Sequence, residues 1–110
     1  MTSLTNKLQA VRTALTAVTN KCYHYRKPEG VTDKYIVWQE DGEQDSFNAD
    51  NRRQEQQIHG TVDYFSTVEF DTTIDSIQTA LDGVCGWRLQ VVLYEDETNL
   101  IHYAWEFWTA

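Results

Sequence analysis

Three histidines, two cysteines and a run of carboxylates are the residues of this 110-residue chain most able to carry chemistry. His24, His59 and His102 fall in separate strand-like segments and can converge in space, but their spacing matches no metal-ligand pattern. His59 and Asp63 share one face of a strand, yet four residues of extended chain separate them by about 13 Å, too far for a dyad. Cys22 and Cys85 are far apart and outside any paired spacing, so they read as structural or incidental thiols. The acidic stretch Glu40, Asp41, Glu43 and Asp45 invites comparison with a calcium loop. Counted from Asp41, however, Ser46 occupies the sixth position where glycine is required and Arg52 the twelfth where a bidentate glutamate is required. What remains for that stretch is a solvated loop, an interface loop or a looser cation contact. No glycine-rich phosphate loop, nucleophile elbow or Cys/His signature occurs. No catalytic, cofactor-binding or metal-ligating residue is assigned, and the chain is expected not to be an enzyme. A small-molecule enzyme would instead show a deep pocket with converging polar groups.

The elements that must position these residues follow from hydrophobic periodicity. Residues 87–108 read as a hairpin: Trp87, Leu89, Val91 and Leu93 alternate with Arg88, Gln90, Val92 and Tyr94. After a polar turn ending at Asn99, Ile101, Tyr103, Trp105 and Phe107 oppose Leu100, His102, Ala104, Glu106 and Trp108. Trp105 and Trp108 therefore lie on opposite faces, which leaves at least one tryptophan outside a core packed on one face, as an interface residue or under a covering loop. Ser3 caps a first helix with the apolar stripe Leu4, Leu8, Val11, Leu15 and Val18, ending near Asn20 and Lys21. Strands are expected at 22–26, 35–39 and 58–67. A second helix begins at Asp71 with a Thr72/Asp75 capping box and stops at Asp82-Gly83. The result is an α+β domain over residues 1–110, in the order α-β-β-β-α-β-β: a mainly antiparallel sheet of about five strands with two helices on one face.

Composition bounds the function. Hydrophobic residues at 41% and aromatics at 13% describe a folded chain, and no segment is long and apolar enough for a membrane span, so a soluble, non-secreted protein is expected. The net charge of -8 opposes binding to nucleic-acid phosphates. Residues 1–34 carry +4 and the remainder -12, so one copy's basic end can meet another's acidic body.

Several stretches together resemble the small tail-completion or tail-terminator proteins, also called minor tail or minor capsid proteins, of long-tailed bacteriophages and prophages of Gram-positive bacteria. They are Tyr35-Ile36-Val37-Trp38-Gln39-Glu40-Asp41-Gly42, the Ala49-Asp50-Asn51 turn with Gln54-Glu55-Gln56, and Gly60-Thr61-Val62-Asp63-Tyr64-Phe65. Glu69-Phe70-Asp71, Ile77-Gln78, Trp87-Arg88-Leu89, Tyr94-Glu95 and Ile101-His102-Tyr103 with Trp105 continue the series in the same order. The resemblance implies a non-catalytic virion subunit, without cofactor or membrane partner, at the head-proximal end of the tail and in the host cytoplasm during assembly. It would cap the tail tube as a ring, expected as a hexamer, stop tube growth and join the tail-tube protein to the head-completion or connector protein. The family brings no residue-level motif, so interface residues come from charge: Lys21, Arg26 and Lys27 meeting Glu40, Asp41, Glu43, Asp45, Arg52 and Arg53 across copies, with Trp105 and Trp108 as apolar candidates. The same acidity fits a second reading, an inhibitor or immunity-type protein whose carboxylates imitate phosphates for a nucleic-acid-processing partner.

Overall fold

The structure, a computed structural model, describes residues 3–43, 48–49, 52–53 and 56–109. Its elements are α1 (Leu4–Thr16), β1 (Cys22–His24), β2 (Tyr35–Glu43), β3 (Asn48–Ala49), β4 (Arg52–Arg53), β5 (Ile58–Ser66), α2 (Thr73–Asp82), β6 (Gly86–Glu95) and β7 (Leu100–Trp108). Five of the strands form one sheet in the order β1-β2-β5-β7-β6, and β3 pairs with β4 as a small separate ribbon. The sheet is mixed: β1 runs parallel to β2, and every other pairing in it is antiparallel. The expected α+β architecture is thus observed, with the ribbon added between β2 and β5.

Both helices lie on one face because their apolar stripes find a single core. Val11 and Leu15 of α1 and Ile77 and Leu81 of α2 close over Ile36, Trp38, Val62, Tyr64, Trp105 and Phe107. Gly60 makes room for the Phe107 ring. A Cβ there would sit 2.3 Å from the Gln39 carbonyl oxygen and 2.5 Å from Phe107. The start of α1 follows its sequence, with Ser3 Oγ accepting from the Asn6 amide at 3.1 Å. Its end comes earlier than residues 20–21. The Thr16 hydroxyl donates to the Arg12 and Thr13 carbonyls and Ala17 closes the helix in ordinary right-handed geometry. Lys7, buried on this helix, donates its ammonium to the Gln56 carbonyl and ties α1 to the approach of β5.

Two features correct the strand reading. The stretch Glu40–Glu43 is not a loop but the end of β2, paired with His59 and Ile58 across a bulge between Glu40 and Gly42. In β6 a second bulge falls between Leu89 and Val91. The extra residue inverts the alternation beyond it, so Trp87, Leu89, Val92 and Tyr94 face the helix side while Arg88, Val91 and Leu93 face the open side. The turn itself follows the sequence: Asn99 adopts φ 59° and its amide donates to the Glu95 carbonyl at 2.8 Å.

The expected Thr72/Asp75 box is also replaced. Thr72 makes no side-chain cap bond, and Asp71 does the work. Its Oδ1 accepts from the Thr73 amide at 2.9 Å, while Oδ2 accepts from the Tyr64 hydroxyl at 2.6 Å and the Ser66 hydroxyl at 2.8 Å. Burial opposes its charge, but these bonds outweigh burial and hold the carboxyl down at about 2. A depressed folded-state value adds stability above the ordinary carboxylate range and loses it as pH falls through about 2. Asp71→Asn is therefore expected to cost about 2 kcal/mol at neutral pH. Urea unfolding of both proteins checks this, with the gap narrowing as the pH approaches 2.

Candidate functional site

The basic residues singled out from sequence gather at the β1 edge. Between α1 and the β1–β2 connection lies a cleft of about 720 Å³ lined by Arg12, His24, Arg26, Lys27, Glu29 and Trp38, among others. Left-handed backbone at Tyr25 (φ 77°) and Lys34 (φ 54°) bends this connection back to the sheet. Lys27 sits 5.6 Å from the centre of the Tyr35 ring, a cation-π contact. Lys21 is exposed at the foot of β1, its carbonyl accepting from the Ile36 amide at 2.8 Å. Arg12, which lies off the apolar stripe of α1, also lines the cleft.

The acidic residues are engaged within the same copy. Glu40 accepts from His24 Nε2 at 2.7 Å and from the Tyr25 hydroxyl. Burial works against the Glu40 charge, but these bonds hold its carboxyl below the usual range. Asp41 accepts from His59 and Glu43 from the Gln56 amide at 3.0 Å. Asp45 lies outside the described residues. Arg52 and Arg53 pair through their backbone with Ala49 and Asn48. The basic segment and the acidic arm therefore do meet, but inside one chain, at His24 and Tyr25 with Glu40.

Trp105 is corrected as an interface candidate. It is fully buried on the helix side, with Nε1 donating to Gln78 Oε1 at 3.1 Å, and no partner can reach it. Trp108 lies on the open face, half-buried, its indole packed over Gly86 where a Cβ would fall 2.1 Å from Nε1.

That open face carries two histidine–carboxylate clusters. His59 is held between Asp41 Oδ1 at 2.8 Å and Glu106 Oε2 at 3.2 Å, and Glu106 also pairs with Arg88. His102 donates to Asp63 Oδ1 at 2.7 Å, faces Glu95 Oε2 at 3.6 Å and stacks on Phe65, which stacks in turn on Tyr35. Each imidazole is fixed by carboxylates on its neighbouring strands, an arrangement that locks register rather than exposing a base to a substrate. These carboxylates are occupied, so the face does not present a row of free anions. The thiols are poor nucleophiles: burial pushes Cys22 up to about 11 and Cys85 up to about 12.

Sequence reading missed the largest feature. β6 is an edge strand with Leu89, Val91, Val92, Leu93 and Tyr94 each between 38% and 60% exposed. Two signals for it were present: residues 89–94 contain no charge, and two short helices cannot cover every strand. A shallow groove of about 590 Å³ between Val92, Tyr94, Ile101 and Thr67 adjoins it, with the 87% exposed Phe70 on the same connection as Thr67.

The chain is thus a small α+β unit whose sheet has a basic cleft at one edge and an apolar strand at the other. No protein-family model and no curated protein matches it. Its fold is similar to that of a chain in the solved structure titled "Virion of native gene transfer agent (GTA) particle". The TM-score is 0.60 over 94% of this chain and 89% of that chain, at 10% identity, which establishes a shared fold.

The clusters make stability respond to pH. Hydrogen bonding to Asp41 raises the His59 pKa against the opposing effect of burial, and hydrogen bonding to Asp63 does the same for His102. A raised folded-state value gives stability that is fully present below the ordinary histidine pKa and is lost as pH rises through the raised one. Replacing both residues by glutamine should therefore destabilise the protein more near pH 5.5 than near pH 8.5, roughly one unit below and two above the unperturbed value. Urea denaturation at the two pH values measures the difference.

Proposed function

We propose that the protein is a structural subunit of a phage-like virion that caps the finished tail tube as a ring, stops its polymerisation and joins the tail to the head connector. The observation carrying this reading is the fold shared along almost the whole chain with a chain of a virion particle. The ordered series of tail-terminator-like stretches, from Tyr35 to Trp105, gives it the finer role. A sheet with two unlike edges suits a subunit that meets its neighbours head to tail, and a non-catalytic role suits histidines fixed by carboxylates. The partners are further copies of the chain, the tail-tube protein and a head-completion protein. Each copy brings a net charge of -8 to the ring, a sign that keeps genome phosphates from adhering. The occupied carboxylates of the open face give no support to phosphate mimicry by an inhibitor.

The test is tube growth. Purified protein added to polymerising phage tail-tube subunits should shorten the tubes and leave density at one end in electron micrographs. Tubes of unchanged length with bare ends would overturn the cap.

A further inference from the structure

We infer that neighbouring copies join by strand addition, the free edge of β6 in one copy pairing antiparallel with the free edge of β1 in the next. The inference deepens the ring reading and rests on it. Every strand of the five-stranded sheet is paired on both sides except these two. At β1 the Lys21 carbonyl and the Tyr25 amide both bond to β2, so Cys22 and His24, which alternate with them, direct their backbone groups outward. At β6 the outward edge belongs to a ten-residue strand whose only charge between Trp87 and Tyr94, Arg88, is already paired with Glu106. Edge strands are normally guarded by lysine, proline or a cover. Here, among the described residues, only the bulge beside Leu89 interrupts the edge, and from Val91 to Glu95 its pairing with β7 is regular.

Direction and register agree with the pairing. β1 is parallel to β2, and three antiparallel steps from β2 through β5 and β7 leave β6 running opposite to β1. Registers align Cys22, Ile36, Tyr64, Tyr103 and Val92 in one row, and Tyr23, Val37, Asp63, Ala104 and Val91 in the next. A sheet continued from copy to copy at the same level therefore sets Val91 beside the next copy's Tyr23, both on the open face, and Val92 beside Cys22, both on the helix side.

Charge selects the second copy's β1 rather than its β6. The foot of β6 runs into Glu95, Asp96 and Glu97, and the foot of β1 carries Lys21. Among the described residues, neither Lys21 nor the Arg12 and Arg26 of the adjoining cleft takes part in an ion pair. A two-fold β6–β6 pairing is antiparallel and would set each acidic turn beside the other copy's Arg88, which is already engaged with Glu106, rather than beside the unpaired Lys21. The unlike pairing is heterologous, and repeated it closes a ring or continues as an open chain of subunits.

The experiment is disulfide trapping in the full-length chain with Cys22→Ser and Cys85→Ser. Tyr23→Cys and Val91→Cys together, oxidised at concentrations where sedimentation shows self-association, should give a ladder beyond dimer on non-reducing gels, and Val91→Cys alone should give none. Dimers from Val91→Cys alone would overturn the proposal in favour of the two-fold pairing, and a protein that stays monomeric at every concentration would overturn it outright. A charge exchange keeps the test open if the cysteine pair fails to fold. Lys21→Glu should weaken self-association about two- to fivefold, and Glu95→Lys in the same chain should restore it. Weakening without restoration would count against the pairing. The two readings fail separately: tubes capped by a protein that gives no ladder would remove the strand addition alone, and a ladder without capped tubes would remove the cap alone.

Discussion

Ten residues of helix extend about 15 Å, whereas ten residues of strand extend about 33 Å. This mismatch between α2 and β6, each ten residues long, shapes the molecule. The helix shields the upper part of the strand, where Trp87 packs on the core and donates to Asp82, and leaves Val92 and Tyr94 bare on the same side. Among the described residues the opposite side carries no helix, and Val91 and Leu93 are exposed there too. The strand has ordinary core composition but no core on its lower half. In a chain this small, with one core built around Trp38, Trp105 and Phe107, the uncovered apolar surface is a consequence of element length rather than of local disorder.

Much of this was legible because local patterns and tertiary packing agree. The alternation in β7, the Ser3 cap and the left-handed Asn99 each express a preference that nothing elsewhere contests. The misreadings come from single inserted residues and from distant partners. One extra residue at Gln90 exchanges the faces of Val91 to Tyr94, and no periodicity announces it. Glu40 to Glu43 look like a loop because four successive polar or glycine residues rarely make a strand. They become one because His59 and Ile58 pair with the stretch and His24, Tyr25, His59 and Gln56 satisfy its carboxylates. Asp71 outcompetes Thr72 as the helix start because two hydroxyls, separated from it by five and seven residues, converge on its oxygen.

The candidate site was legible in part. Arg26 and Lys27 line one cleft together with Arg12, and Lys21 lies exposed at the foot of β1. The acidic counterpart was sought at Glu40 to Arg53, where the described carboxylates turn out to serve their own chain. Net charge counts every acid alike, but hydrogen bonding does not. Glu40, Asp41, Asp63 and Glu106 are taken up by histidines, whereas Asp96 and Glu97 in the turn after β6 take part in no ion pair among the described residues.

An exposed apolar strand also has a kinetic meaning for the free protein. Such an edge is a template for wrong pairing wherever copies accumulate in solution. The net charge of -8 makes chance encounters between copies repulsive at low ionic strength, slowing the approach of one bare edge to another. Held close by a common support, the same copies lose that protection, because local concentration overcomes the long-range repulsion while the short-range pairing is unchanged. Acidity and stickiness in one small chain would then act as a timer: solubility governs while the subunits are dispersed, and cohesion governs once they are gathered.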